Sequence, residues 1–272
     1  MAFYYEKYIR NGKLPHIWCP GCGIGIVMKS ILRGIDKLNL DKNKVAFVSG
    51  IGCTSRMPGY LDFNTLHTTH GRALTFATGL KHARKDLTVI AVSGDGDALA
   101  IGGNHFIHAC RRNIDITLIV VNNFIYGMTG GQHSPTTPSG SYGTTAPYGN
   151  IDPSFDVCRV ADGAGATFVA RTTSYHTAQT EQLVEKAVKH KGFSVVDVIT
   201  GCPVYYGRKN KFKTPTEMLL WQKETALPLK AAEKMKPEQI QGKILTGIFV
   251  EKTLPEYTER YAAMVQQIKA RA

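Results

Sequence analysis

The chain lacks any apolar stretch near the roughly 18 residues that a membrane-spanning helix requires, and residues 1–13 mix charged and aromatic side chains with no apolar signal core. A membrane or exported protein is therefore not expected; a cytoplasmic one is. Cysteine is scarce, with six in 272 residues, too few for a disulfide scaffold. No internal repeat or low-complexity segment is visible, which excludes solenoid and fibrous designs. Acidic side chains are also few: 21 Asp and Glu face 33 Lys and Arg, a formal charge of +12. What is present suffices for a core, because 43% of residues are hydrophobic and 9% aromatic, and compact chains of about 300 residues bury roughly three quarters of their unfolded surface. Disorder is excluded on the same ground.

The positive charge is uneven. Residues 1–50 carry 8 basic and 3 acidic side chains, 51–202 carry 12 and 11, and 203–272 carry 13 and 7. The middle is nearly neutral and the two ends hold the excess.

Short runs rich in β-branched residues predict buried strands over Lys44–Ser49, Leu87–Ser93, Ile116–Asn122, Thr167–Arg171 and Phe193–Thr200. Between them helices are expected over about Ile24–Leu38, Arg72–Arg84, Asn104–Arg111, Ser154–Asp162 and His176–His190. Strand and helix in alternation predict a doubly wound α/β fold: a mostly parallel sheet with helices on both faces. Residues 1–202 form that domain, and 203–272 are expected as a C-terminal extension with two helices, Thr216–Thr225 and Pro255–Ala270. From Thr129 to Asn150 the chain is rich in Gly, Ser, Thr and Pro, and strands resume after it. This predicts a long functional loop.

Parallel sheets bind ligands beyond the carboxyl ends of their strands. Those ends read Gly50-Ile51-Gly52-Cys53-Thr54-Ser55-Arg56, Gly94-Asp95-Gly96-Asp97, Asn122-Asn123-Phe124-Ile125-Tyr126-Gly127 and Gly201-Cys202-Pro203. Glycine lets a ligand approach the backbone, and the helix N-termini that follow favour anions. Asp95 and Asn123 stand at the ends of consecutive strands, 28 positions apart. On adjacent parallel strands they would meet, and a carboxylate, an amide oxygen and a nearby carbonyl are hard ligands of the kind Mg²⁺ takes when it bridges to a diphosphate. Either motif alone is also ordinary turn chemistry.

Gly94 to Gly127 resembles the thiamine-diphosphate fingerprint, a Gly-Asp-Gly followed some 25 to 30 residues later by Asn-Asn. The resemblance implies that Asp95, Asn123 and the backbone oxygen of Ile125 bind Mg²⁺. It also implies that Gly96, Asp97, Gly127 and Met128 meet the diphosphate, and that Ile51, Gly52, Cys53 and Thr54 line the same cofactor.

Four cysteines sit apart from the two inside expected helices, Cys110 and Cys158, which read as core residues. Cys19 and Cys22 form a Cys-Pro-Gly-Cys couple, while Cys53 and Cys202 are single and distant. Four thiolates suit a [4Fe–4S] cluster or a structural Zn²⁺; zinc more often takes two local couples, so the pattern leans to iron–sulfur while leaving zinc open. A thioredoxin-like pair is less suitable, because no strand is evident before Cys19.

With Trp18-Cys19-Pro20-Gly21-Cys22-Gly23, Gly52-Cys53, His67-Thr68-Thr69-His70-Gly71-Arg72 and Gly201-Cys202-Pro203, residues 14–203 resemble the β subunit of the 2-oxoacid:ferredoxin oxidoreductases. Leu14-Pro15-His16-Ile17-Trp18 and Tyr126-Gly127-Met128-Thr129-Gly130-Gly131-Gln132 most resemble the 2-oxoglutarate branch; pyruvate and branched 2-oxoacids are the other substrates of the family. The resemblance implies thiamine diphosphate, Mg²⁺ and a [4Fe–4S] cluster held by Cys19, Cys22, Cys53 and Cys202. It implies oxidative decarboxylation of a 2-oxoacid, transfer of the acyl group to coenzyme A, and one-electron transfer to ferredoxin, with reductive carboxylation as the reverse. Only one sheet's worth of strands is present, so an α subunit carrying the pyrimidine-binding domain is expected, in a dimer of αβ heterodimers.

The resemblance puts His70 near the diphosphate or substrate. Arg56, three residues beyond Cys53, suits the distal carboxylate of 2-oxoglutarate, and is otherwise a surface or interface arginine. His67 belongs with His70 at the entry to the helix that begins at Arg72; His105 and His108 share one helix face. Arg208-Lys209-Asn210-Lys211-Phe212-Lys213 is a basic run just beyond Cys202. No nucleic-acid-binding signature accompanies it, so an acidic electron carrier is the expected partner. The competing reading is a cluster-free thiamine decarboxylase subunit in which Cys19 and Cys22 bind zinc.

Overall fold

A computed structural model describes residues 3–271; Met1, Ala2 and Ala272 lie outside the described residues. Helix α1 (Ile24–Asp36) begins directly after the Cys19–Cys22 turn and buries Ile24, Val27, Met28, Ile31, Leu32 and Ile35. That three- and four-residue spacing makes one apolar stripe. The chain then runs through β1 (Val45–Ser49), β2 (Asn64–His67), α2 (Ala73–Ala83), β3 (Thr88–Gly94), α3 (Gly103–Arg112) and β4 (Thr117–Asn122). A two-stranded turn, β5 (Ile125–Tyr126) with β6 (Gln132–His133), opens the long loop. After it come α4 (Val157–Gly163), β7 (Phe168–Thr173), α5 (Thr177–Lys189), β8 (Ser194–Ile199), α6 (Pro215–Thr225), β9 (Ala226–Pro228), α7 (Leu229–Ala232), α8 (Pro237–Ile240), β10 (Ile244–Glu251) and α9 (Tyr257–Lys269).

Eight strands form one sheet in the order β2-β1-β3-β4-β8-β7-β10-β9. From β2 to β7 all neighbours are parallel; β10 runs antiparallel to β7. Side chains alternate between two cores. Phe47, Ile90, Val92, Ile119 and Val121 pack under α1 and α5, while Ala46, Val48, Val89, Ala91, Leu118 and Val120 pack under α2, α3 and α4. Both faces are covered, which is why the strands read as continuous apolar runs. Gly34 lets α1 close on α5: a Cβ there would stand 2.7 Å from the carbonyl oxygen of Glu181.

The five expected strands correspond to β1, β3, β4, β7 and β8. Three other strands of the main sheet, β2, β10 and β9, are not expected, nor is the β5–β6 pair. Asn64–His67 is a short, mostly exposed edge strand with no apolar run, and Ile244–Glu251 lies in the expected tail. That tail carries its two helices, α6 and α9, and in addition extends the main sheet with β10 and β9. Among the described residues, no helix is long and apolar enough to cross a membrane.

From β1 the chain moves outward to β2 and then crosses back over β1 to β3. The reversal opens a crevice at the carboxyl ends of β1 and β3, where doubly wound sheets bind ligands.

Candidate active site

That crevice is a cleft of about 500 Å³. Asp95 leaves the end of β3 into it and Asn123 the end of β4; because β3 and β4 are paired neighbours, the two meet. The Asn123 backbone N–H donates to Asp95 Oδ1 at 3.4 Å, and Asn123 Oδ1 accepts from the Ile125 N–H at 3.2 Å. Asp95 is 1% exposed. Burial pushes its carboxyl up to about 6, against the lowering effect of hydrogen bonds from Ser134 and Thr136. A buried carboxylate held ionised at neutral pH requires compensating positive charge, which a divalent cation supplies. The donor set of Asp95, Asn123 and the Ile125 carbonyl therefore fits Mg²⁺.

Glycine shapes the walls. A Cβ on Gly96 would stand 2.3 Å from the Tyr126 ring, and one on Gly50 would stand 2.3 Å from the Asp97 carboxylate. Tyr126 lies under the backbone of Gly96 and donates its hydroxyl to the Gly96 carbonyl at 3.0 Å. Burial pushes this phenol up to about 12, and the Asp95 and Asp97 charges act the same way, so it remains neutral. The helical turn that starts at Gly96 offers amides without intrahelical partners. An anion such as a diphosphate fits there.

Asp97 borders the cleft, but its carboxylate is already engaged. Oδ1 accepts from Gly71 N at 2.6 Å and Ile51 N at 3.2 Å and pairs with His70 Nδ1 at 2.6 Å, while Ser93 Oγ donates to Oδ2. Its carboxylate thus ties the ends of β1, β3 and the turn after β2 together and aims His70, whose ring meets Tyr126 edge-on at 6.1 Å. Of the expected cofactor residues, Ile51, Gly52, Cys53, Thr54, His70, Gly96, Asp97, Gly127 and Met128 all line this cleft with Asp95, Asn123 and Ile125. His67 does not; it is exposed at the end of β2.

A second cavity of about 670 Å³ abuts the first. Cys19, Cys22, Cys53 and Cys202 all line it, although they come from three distant parts of the chain. Trp18 pins the couple by donating its indole N–H to the Cys53 carbonyl at 2.7 Å, and Gly23 N donates to Gly201 O at 3.2 Å. Burial pushes the Cys22 thiol up to about 12 and Cys53 up to about 11, and the neighbouring thiols add to both. Thiols so placed ionise together only when cationic metal takes their charge. Four thiols around the wall of one cavity fit a multi-iron cluster. Cys110 and Cys158 are buried in the core, as expected.

Cys53, Asn123, Gly127 and Met128 line both cavities. A Cβ on Gly127 would lie 3.5 Å from Cys202 Sγ and 3.6 Å from Cys53 Sγ, so this backbone is the partition. Arg56 lines the cysteine cavity and not the Asp95 cleft, and it is exposed. Arg208, Lys209, Lys211 and Lys213 are exposed beyond Cys202.

Sequence reasoning missed the residues that hold these groups in place. Ser134 and Thr136 bond Asp95; Asn122 Oδ1 shares the Thr136 proton at 2.9 Å, and Asn122 Nδ2 donates to the buried Asp197 at 3.2 Å. Asp197 in turn pairs with Arg171 at 2.7 Å. The available signal was the hydroxyl-rich loop itself.

Residues 50–198 match the family described as "Thiamine pyrophosphate enzyme, C-terminal TPP binding domain". The chain is 50% identical over 268 residues to 2-oxoglutarate synthase subunit KorB of Methanothermobacter thermautotrophicus, covering 98% of this chain and 94% of that one. Against the protein of that name from Methanocaldococcus jannaschii it is 50% identical over 264 residues, 97% and 98% of the two chains. In structure it resembles a chain of the 2-oxoglutarate:ferredoxin oxidoreductase from Magnetococcus marinus, solved with 2-oxoglutarate, coenzyme A and succinyl-CoA bound. There the TM-score is 0.87 at 31% identity, over 98% of this chain and 91% of that one.

Proposed function

The chain belongs to the 2-oxoglutarate synthase β-subunit family of the thiamine-diphosphate enzymes, and we propose from that premise that it converts 2-oxoglutarate and coenzyme A to succinyl-CoA and CO₂ while reducing ferredoxin. Thiamine diphosphate supplies the carbanion chemistry of decarboxylation when bound, and a [4Fe–4S] cluster a one-electron relay. Asp95, Asn123 and the Ile125 carbonyl hold Mg²⁺. Gly96, Gly127 and Met128 flank the diphosphate, with Ile51, Gly52 and Thr54 across the cleft. Cys19, Cys22, Cys53 and Cys202 hold the cluster. His70, aimed by Asp97, exchanges a proton at the substrate oxygen through Nε2, and Arg56 receives the distal carboxylate.

The observation that carries this reading is the shared wall of Cys53, Asn123, Gly127 and Met128. Thiamine diphosphate bound in the first cavity would be separated from a cluster held in the second by a single thickness of backbone. The exposed basic run after Cys202 would receive ferredoxin, since charge complementarity favours the docking of an acidic carrier. The cleft is completed by an α subunit that brings the pyrimidine-binding domain, in a dimer of αβ pairs.

The test is anaerobic purification with the partner subunit, followed by iron and sulfide analysis and assay of ferredoxin reduction. One cubane per chain is expected, with reduction that requires both 2-oxoglutarate and coenzyme A and slows as salt is raised. Stoichiometric zinc in place of iron, or turnover by this chain alone, would overturn the reading.

A further inference from the structure

The long loop after β5 lays two hydroxyls on one oxygen of Asp95. Ser134 Oγ and Thr136 Oγ1 both donate to Asp95 Oδ2, the second at 2.8 Å. Ser134 and Thr136 are each 2% exposed, so water does not compete for these bonds. The turn that presents them is pinned to the chain just after Asn123. Thr137 Oγ1 accepts from Ser134 N at 2.8 Å and donates at 2.6 Å to the carbonyl of Phe124, the residue between Asn123 and Ile125. Thr136 Oγ1 also lies 2.9 Å from Asn122 Oδ1, so its one proton is shared between that oxygen and Asp95 Oδ2. The other carboxylate oxygen, Oδ1, accepts only a long 3.4 Å bond from the Asn123 amide.

A carboxylate so held has one oxygen to offer a cation, not two. Mg²⁺ takes about six ligands at roughly 2.0–2.1 Å in near-ideal octahedral geometry, whereas Ca²⁺ takes roughly six to eight and often uses both oxygens of a carboxylate. We propose that Ser134 and Thr136 set the cation specificity of this site: by holding Asp95 to monodentate coordination they favour Mg²⁺ over Ca²⁺. The inference rests on the reading that Asp95, Asn123 and the Ile125 carbonyl are the cation ligands. Ser134 and Thr136 are positioning residues, since they act through Asp95.

The test is calorimetric titration of thiamine diphosphate into the assembled enzyme, with MgCl₂ or CaCl₂ as the only divalent salt and no turnover. Wild type is expected to bind more tightly with Mg²⁺. In a Ser134→Ala, Thr136→Val double variant the ratio of the two affinities should fall at least fivefold, with Ca²⁺ gaining relative to Mg²⁺. Thr136→Ser, which keeps the hydroxyl, should retain the ratio. Each single variant gives a smaller fall, which covers the case in which the double variant does not fold. Equal losses with both cations, leaving the ratio unchanged, would mean that the hydroxyls only stabilise the loop and would overturn the proposal. Asp95→Asn separates the two failures: it should abolish cation-dependent binding with either metal, and if it does not, the ligand assignment falls as well.

Discussion

His70 Nδ1 lies 2.6 Å from a carboxylate oxygen of Asp97, the same oxygen that accepts the backbone amides of Gly71 and Ile51. An ionised carboxylate only accepts, so Nδ1 carries the proton and Nε2 keeps its lone pair. Asp97 thereby fixes the tautomer and orientation of the His70 ring. Asp97→Asn can keep its oxygen toward the three N–H donors and its amide toward Ser93, so the fold should survive. The charge is lost, and kcat should fall about 100-fold, the lower range for acid–base catalysis, with little change in melting temperature. Steady-state assay beside thermal unfolding checks this; an unchanged kcat would leave Asp97 a purely structural knot.

Two glycines of the cleft should respond oppositely to the same methyl group. At Gly127 a Cβ finds Cys202 Sγ and Cys53 Sγ at 3.5 and 3.6 Å, ordinary van der Waals distances, so Gly127→Ala should retain iron. At Gly96 the new atom would stand 2.3 Å from the Tyr126 ring, which must move and give up its bond to the Gly96 carbonyl. Gly96→Ala should therefore weaken thiamine-diphosphate binding tenfold or more while leaving the iron content intact. Iron analysis and cofactor titration on the two proteins read out the contrast.

The parts of the fold that announce themselves in sequence are those buried on both faces. Phe47, Ile90 and Ile119 each lie in a run of four or more consecutive buried residues, most of them apolar. Asn64–His67 has no such run because it lies at an edge, and its place is set by pairing with β1. Ile244–Glu251 lies in a segment whose helices dominate the pattern, and only tertiary contact with β7 makes it part of the sheet. At the site, the meeting of Asp95 with Asn123 and the gathering of Cys19, Cys22, Cys53 and Cys202 on one cavity were legible because few residue types stand in such patterns at strand ends. Ser134, Thr136 and the aim of Asp97 were not, since a hydroxyl in a loop or a carboxylate after a strand fits many roles until its partner is known.

Arg171 is buried between two carboxylates, Asp156 at 2.6 Å and Asp197 at 2.7 Å, and Asp156 also caps α4. Burial raises the Asp197 carboxyl; at Asp156 burial acts the same way, but pairing with Arg171 outweighs it and the net direction is down. A lowered folded-state value means that the stability from Asp156 is present above its unfolded value and is lost as pH falls through the folded one. The raised Asp197 value acts oppositely, so in wild type the two carboxyls offset one another as pH falls. Arg171→Leu should cost about 3–5 kcal/mol at neutral pH, because it strands buried charge, and the deficit should shrink as pH falls and the two carboxyls take up protons. Urea unfolding at pH 5 and pH 8 tests the sign: a deficit that grows toward acid contradicts it.

Arg56 sits on the turn that begins at Cys53, its backbone N–H on the Cys53 carbonyl at 3.3 Å and its side chain exposed at the cysteine cavity. If it receives the distal carboxylate of 2-oxoglutarate, its loss should be felt only by substrates that carry one. A hydrogen bond to a charged group is worth about 1.5–3 kcal/mol, so Arg56→Leu should raise KM for 2-oxoglutarate roughly 10- to 100-fold and leave that for pyruvate nearly unchanged. Arg56→Lys should fall between, because an ammonium supplies the charge without the planar fork that binds a carboxylate through two bonds. Iron content must stay at the wild-type level in both variants, which separates a substrate effect from damage to the cavity beside Cys53. An equal rise in KM for both oxoacids would remove Arg56 from substrate selection and leave it as a surface or subunit-contact residue.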